Sequence, residues 1–323
     1  MAAGLGTRLR PLTWEVPKPM VPVANRPIME HVLRLIARHG IGEAIANLHW
    51  FPETIRDRFG DGSGLGLDLA YSYEPELLGT AGGVRNVRDF FGPEPFLVMA
   101  ADPLTDVDLR ELASAHRARD GIATLAVKRV SNVSEYGVVV TGSDGRVQGF
   151  QEKPDPSEAL SDLASCMIYV LEPEIFDYFP EEPVADFALD VFPALLEHDV
   201  PFYVHETDRY WNDVGSLPEY LQGNLDALAG AVSVDLEGEL LTGSDDEEAP
   251  AEMDGGWLLT GSALVAAGAE IGPGARVDGP AVIGPGARIG AGAQVKGSVL
   301  LPGAEVPGEG VLAGAIAGRR GAR

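Results

Sequence analysis

The sequence predicts an α/β protein in three parts: a doubly wound, mostly parallel sheet over residues 1–229, an acidic linker or loop over 230–256, and a parallel β-helix over 257–323. Three observations carry that reading. Apolar strand-like runs alternate with helix-like segments through the first two thirds of the chain. The composition turns acidic and poor in apolar residues at 243–250, and a six-residue period follows. A length of 323 residues agrees with more than one core.

In the first part the strand-like runs are EAIANL from Glu43, PFLVMA from Pro95, IATLAV from Ile122, MIYVL from Met167 and PFYVH from Pro201. The clearest helix runs from Ile28 to His39. Pro27 suits its first turn, Ile28, Val32, Leu35 and Ile36 share a face, and Gly40 supplies the stop. Asp108 can cap a second helix that reaches about Arg119. Tyr136–Thr141 and Arg146–Phe150 flank Ser143-Asp144-Gly145, which reads as a hairpin. Strands alternating with helices in this way point to a Rossmann-like, doubly wound arrangement.

The linker reading rests on Gly243-Ser244-Asp245-Asp246-Glu247-Glu248-Ala249-Pro250, a solvated composition. Beyond it, Val265, Ile271, Val277, Ile283, Ile289, Val295 and Leu301 stand six apart, and Ala263, Ala269, Ala275, Ala281, Ala287 and Ala293 precede the first six of them by two. A helix with 3.6 residues per turn cannot keep such a period on one face, and collagen needs glycine at every third place. A parallel β-helix can use it, each hexapeptide forming one short side with the branched residue inward. All six histidines lie at or before His205, so the coil carries no histidine base of the kind acyltransferases use. It is read as scaffold, oligomer interface or regulatory platform.

Charge narrows the function. Forty-nine acidic against 24 basic side chains leave −25, which disfavours nucleic acid and anionic bilayers as partners. No apolar run approaches the roughly 20 residues of a spanning helix, and the start lacks a secretory pattern. Cys166 is the single cysteine, which excludes intrachain disulfides and suits a reducing, cytoplasmic setting.

Against that acidic background, the start of the chain concentrates glycine and positive charge. Gly4-Leu5-Gly6-Thr7-Arg8 can bring backbone N–H groups close to a polyphosphate, with Arg8 and Lys18 supplying full charge. The Rossmann fingerprint fails because Leu9 stands where its third glycine belongs, and no Walker Gly-Lys-Ser/Thr occurs.

The run Ala2 to Thr13 (AAGLGTRLRPLT), followed by Pro17-Lys18-Pro19-Met20, resembles the opening of the sugar-1-phosphate nucleotidylyltransferases, many of which carry a C-terminal left-handed hexapeptide β-helix. Further matches follow in order. Leu78 to Gly83 (LGTAGG) resembles the family's loop around base and sugar, which implies substrate contacts from Gly79, Thr80 and Gly82, as from Gly4, Gly6 and Thr7. Asp102, at the end of a buried strand, matches the first metal-binding aspartate. Glu152-Lys153-Pro154 resembles the sugar-phosphate motif, and Ser165 falls in a sugar-contacting segment. Trp211-Asn212-Asp213-Val214-Gly215 resembles the segment with the second metal aspartate.

The resemblance implies a Mg²⁺-dependent displacement. The phosphate oxygen of a sugar 1-phosphate attacks the α-phosphorus of a nucleoside triphosphate and pyrophosphate leaves. Asp102 and Asp213 would hold the metal, Arg8 and Lys18 the triphosphate, and Lys153 the sugar phosphate. Within the family the motifs look most like mannose-1-phosphate guanylyltransferases, with glucose-1-phosphate thymidylyl- or uridylyltransferases next and a silent nucleotide-sugar-binding subunit as the alternative from another class. A homo-oligomer is expected from the flat faces and open ends of the coil. Three departures from the family pattern stand out. Met1 lies where a short apolar strand usually precedes the glycine loop, so that strand is expected upstream. Ala100-Ala101 and Ser165-Cys166-Met167 replace the usual neighbours of Asp102 and of the sugar.

Overall fold

The structure, a computed structural model, describes residues 1–319 and the backbone of 321 and 322. The chain divides into two compact units whose segments interleave. The first comprises Met1–Leu5, Leu33–Asp102 and Val107–Trp211, the second Gly6–Val32, Pro103–Asp106 and Asn212–Arg323.

Local signals are expressed as read. Helix α1 spans Ile28–Arg38 and ends on Gly40, whose φ of +86° is the left-handed stop that glycine adopts without strain. In the first unit follow strand β1 (Glu43–Leu48), helix α2 (Pro52–Phe59), strand β2 (Asp68–Tyr73), helix α3 (Gly79–Arg85), strand β3 (Phe96–Met99) and helix α4 (Leu109–Arg117). The Asp108 carboxylate caps α4 by accepting from the N–H groups of Arg110 and Glu111 at 2.9 and 3.1 Å. The expected hairpin forms from β5 (Gly137–Thr141) and β6 (Val147–Glu152). Between α4 and that hairpin lies β4 (Ala123–Arg129), and β7 (Leu163–Leu171), α5 (Phe192–Glu197) and β8 (Tyr203–Glu206) complete the unit.

The sheet itself is mixed, which corrects the expectation of mostly parallel strands. β1 and β2 pair in parallel as a separate two-stranded sheet; in the larger sheet β8 pairs with β4 in parallel, but β7 runs antiparallel to β3, β4 and β5. The reason is local: four strands follow one another from Ala123 to Leu171 with no α-helix between them, and parallel neighbours need such crossovers. β7 is also bulged, since Ser165 faces Val127 while Tyr169 faces Leu125. Within the bulge, Met167 takes a left-handed φ of +54°. Behind this sheet Leu125, Val139, Tyr169, Phe187 and Phe192 are buried, and the Phe150, Phe192 and Phe202 rings stack with centroids 5.4 and 5.7 Å apart. Each such side chain contributes about 1.5–3 kcal/mol by leaving water.

In the second unit, helix α6 (Leu217–Leu228) starts on a Ser216 cap, and three stacks of short parallel strands follow. Arg276 pairs with Gln294, eighteen residues on, and Ala263 with Ala281. Ala263, Ala275, Ala281, Ala287 and Ala293 are fully buried beside Val277, Ile283, Ile289 and Val295. The phase then slips. Ile283 pairs with Leu300, so Leu300, not Leu301, takes the inward place. The corner Lys296-Gly297-Ser298-Val299 is one residue shorter than Asp278-Gly279-Pro280-Ala281-Val282. Ser298 thereby falls where Ala281 lies one turn earlier and is fully buried. Its hydroxyl donates to the Lys296 carbonyl at 2.7 Å and accepts from the Ala315 N–H at 3.2 Å.

Within 230–256 the acidic run 243–250 is a largely exposed loop, as read, but strands flank it. Glu239–Thr242 and Ala251–Met253 are strands, each adding antiparallel to the edge of one stack. Those edges would otherwise leave backbone donors and acceptors open. The acidic residues between the two strands meet basic groups: the Glu247 carbonyl accepts from Arg276 at 2.6 Å and its carboxylate pairs with Lys296 at 3.1 Å. Among the described residues, no helix is long and apolar enough to cross a membrane.

Candidate active site

In the second unit, the opening motif and the Trp-Asn-Asp-Val-Gly motif meet. Gly6 sits at φ +59°, and a Cβ there would lie 2.8 Å from Lys18 Cβ, so this glycine serves both conformation and space. The Gly6 carbonyl accepts from the Thr13 hydroxyl at 2.7 Å, and buried Leu9 anchors the turn. Thr7 is exposed on the same turn. Arg8, half exposed, reaches back so that its Nη2 lies 3.3 Å from Asp213 Oδ2. Lys18, buried between Pro17 and Pro19, donates from Nζ to the Asp213 carbonyl at 2.8 Å. The two cations expected on phosphate thus both hold Asp213.

The turn around Asp213 is fixed by its own side chains. Asn212 Oδ1 accepts from the Val214 N–H at 2.8 Å and Asp213 Oδ1 from the Gly215 N–H at 3.2 Å. Burial, first, and the nearby Glu219 carboxylate push the Asp213 carboxyl above its usual range, against Lys18 and Arg8. Glu219 was not singled out by its chemistry. The only sign in the sequence is its place three residues after Ser216, a capping-box spacing, and its N–H donates to Ser216 Oγ at 3.4 Å.

In the first unit, Asp102 follows β3, where Ala100 N–H donates to the Met167 carbonyl at 3.0 Å and Ala101 N–H to the Met1 carbonyl at 2.9 Å. The bulge of β7 therefore lies against the strand end that carries Asp102. Ser165 accepts from the Met167 N–H at 3.3 Å, and its hydroxyl is 3.3 Å from that of Tyr169. Burial pushes the Cys166 thiol up, so it is inert. Gly4 does not use positive φ, and nothing lies within 4 Å of a Cβ built on it.

The Leu78–Gly83 loop uses its glycines for the fold. A Cβ on Gly79 (φ +77°) would lie 2.3 Å from the Ala185 carbonyl oxygen, and one on Gly82 2.5 Å from that of Pro183. The Ala81 and Gly82 N–H groups donate to the Ala185 carbonyl at 2.9 and 3.0 Å. The Thr80 hydroxyl donates to Asp186 Oδ2 at 2.7 Å and accepts from the Phe187 N–H at 3.0 Å. Ala185 and Asp186 were missed by sequence reading, and no spacing marks them. At the end of β6, Lys153 takes φ +45°, its N–H donates to the Tyr136 carbonyl at 3.0 Å, and its Nζ lies 3.5 Å from the exposed Glu152 carboxylate.

Among the described residues no three His, Cys, Asp or Glu side chains cluster as a closed metal cage. Asp102 in the first unit and Asp213 in the second each offer hard carboxylate oxygens. Donors of that kind suit magnesium, which keeps several waters and takes one or two carboxylates together with phosphate oxygens.

A model of the family described as nucleotidyl transferase matches residues 1–230. A UTP–glucose-1-phosphate uridylyltransferase of Synechocystis sp. is 38% identical over 256 residues, covering 75% of this chain and 65% of that protein. A mannose-1-phosphate guanylyltransferase of Mycobacterium tuberculosis is 36% identical over 231 residues, covering 71% and 64%. The chain therefore spans 65% and 64% of the lengths of these two relatives. Among solved structures, a UDP-glucose pyrophosphorylase from Acinetobacter baumanii superposes at a TM-score of 0.61 and 24% identity, over 71% of this chain and 92% of that one, which shows a shared fold.

Proposed function

The chain belongs to the nucleotidyl transferase family, and on that premise we propose that it transfers a nucleotidyl group from a nucleoside triphosphate to a sugar 1-phosphate, releasing pyrophosphate. The observation that carries the reading is the junction of Arg8, Lys18 and Asp213, two cations and a hard acid brought together from three motifs. Such a set suits a reaction that must gather anions, and a phosphate monoester is itself a nucleophile at neutral pH. No serine, cysteine or histidine attack is needed, which agrees with a Cys166 thiol kept protonated by burial.

In this reading Arg8, whose side chain is 54% exposed, exchanges its carboxylate partner for triphosphate oxygens, and Lys18 fixes the Asp213 backbone while adding charge. Asp102 and Asp213 would hold magnesium, which when bound supplies positive charge to the phosphates and lowers the cost of negative charge in the transition state. Lys153 holds the phosphate of the sugar, Glu152 accepts from sugar hydroxyls, and Ser165 donates to the sugar. Backbone N–H groups around Gly4, Gly6 and Thr7 face the triphosphate, while Gly79, Thr80 and Gly82 shape the loop around base and sugar, the Gly82 N–H itself being held by the Ala185 carbonyl. Each well-placed donor contributes roughly 3 kcal/mol to such transition states.

Mannose 1-phosphate and GTP are the first choice of substrates, in line with the relative from M. tuberculosis. The relative from Synechocystis favours glucose 1-phosphate and UTP as the second reading. The C-terminal parallel stacks form, in this account, a left-handed hexapeptide β-helix that joins copies of the chain into a homo-oligomer in a cytoplasmic setting. Pyrophosphate release from GTP, UTP and dTTP, each with mannose or glucose 1-phosphate and with or without Mg²⁺, tests the proposal. Metal-dependent release with one pair supports it. No release with any pair, alongside nucleotide-sugar binding, favours a silent subunit and overturns it.

A further inference from the structure

The turn that carries Asp213 holds more constraint than its hydrogen bonds require. Val214 is β-branched and fully buried, yet adopts φ +46°, a conformation such residues rarely take. It is held there from several sides: its N–H donates to Asn212 Oδ1, Asn212 Nδ2 donates to the Glu219 carbonyl at 3.1 Å, and Lys18 Nζ grips the Asp213 carbonyl. Gly215 follows, and it is not in the left-handed region, so no backbone conformation demands glycine there. Space does. A Cβ at 215 would lie 2.6 Å from Asp213 Oδ2, 2.7 Å from Arg8 Nη1 and 2.9 Å from Arg8 Cζ. All three atoms belong to the ends of two functional side chains, whereas the atoms nearest a Cβ at Gly79 are backbone. A side chain at 215 therefore meets the ends of these two side chains first.

We propose that Gly215 is a positioning residue for this reaction: its bare Cα leaves the volume in which the Asp213 carboxylate and the Arg8 guanidinium meet, and so sets the direction in which that carboxylate faces a metal. The inference rests on the reading of Asp213 as a magnesium ligand. Residues that orient a metal ligand commonly change metal affinity by about 10- to 100-fold when altered.

The test uses the full chain, Mn²⁺ as the probe read by the spin resonance of the free ion, and urea unfolding in parallel. Gly215→Ala should weaken Mn²⁺ binding by about 10- to 100-fold with an unchanged urea midpoint. Adding Arg8→Ala to that variant should recover part of the loss, because removing the guanidinium vacates the contested volume. Gly215→Ala that binds Mn²⁺ like the wild type, or that loses affinity only together with its urea midpoint, overturns the inference, as does a double variant with no recovery. Asp213→Asn separates this from the underlying reading. If it keeps wild-type Mn²⁺ affinity, Asp213 is not the ligand and both fall. If it loses affinity while Gly215→Ala does not, only the positioning role fails.

Discussion

Replacing Gly79 by alanine tests how the Leu78–Gly83 loop is held. At φ +77° any Cβ is strained, which costs about 1–2 kcal/mol. The new atom would also stand 2.3 Å from the Ala185 carbonyl oxygen, more than 1 Å inside the 3.4 Å at which ordinary contact begins. Moving that carbonyl away breaks the bonds it accepts from the Ala81 and Gly82 N–H groups, at 2.9 and 3.0 Å. Both donors are buried, and each left unsatisfied costs about 1–3 kcal/mol. The expected loss is of order 5 kcal/mol, a large part of the roughly 5–15 kcal/mol that holds a domain together. Equilibrium urea unfolding, followed by tryptophan fluorescence and by circular dichroism, measures it. Gly4→Ala is the control, with nothing within 4 Å of the added atom and an expected change within about 0.5 kcal/mol. A Gly79→Ala variant within about 1 kcal/mol of the wild type would refute the reasoning, because neither strain nor the lost bonds could then be present.

Three further outcomes are expected. Ser298→Ala in the C-terminal stacks should lower stability by about 1 kcal/mol in the same assay, since the half-buried Ala315 N–H loses its hydroxyl acceptor. His31 is buried and its Nε2 donates to the Val23 carbonyl; burial, helped by Arg26, lowers its pKa from 6.5 against that hydrogen bond, Glu30 and Asp235. The unfolded chain then takes up a proton below about pH 6.5 that the folded chain refuses, so stability should fall with pH below that point by up to about 1.4 kcal/mol per unit. His31→Gln should flatten that slope in unfolding curves from pH 7 to 5, and an unchanged slope would assign it elsewhere. Asp102→Asn and Asp213→Asn should each reduce the rate of pyrophosphate release by about 10²–10³-fold, as removal of one strong electrostatic contributor commonly does. Wild-type rates in either would remove that residue from the chemistry.

What the sequence made legible was local. The α1 stop at Gly40, the Asp108 cap and the Ser143–Gly145 hairpin depend on residues a few places apart, and each formed. Strand direction depends on partners far along the chain, and nothing in the Leu163–Leu171 run says that it lies antiparallel to three others. In the 230–256 segment the charge of 243–250 marks an exposed loop, while the strands on either side are defined by edges that need covering and carry no local sign. The six-residue phase failed at Leu301 because one corner residue is missing near Ser298, which moves the next inward positions, Val306 and Leu312, by one. At the site, Asp213, Arg8 and Lys18 were found as separate motifs. That the cations grip the acid, and that Gly215 leaves them room, are properties of contacts spanning about two hundred residues.

The central claim is direct transfer of a nucleotidyl group between two phosphates. A single-turnover reaction with an α-³²P-labelled nucleoside triphosphate and a sugar 1-phosphate tests it most directly. The account predicts label passing straight into the nucleotide-sugar with none retained on the protein, and inversion at the α-phosphorus when a P-chiral α-thiotriphosphate is used in its place. Label trapped on a side chain, retention of configuration, or no transfer to any sugar phosphate would contradict it.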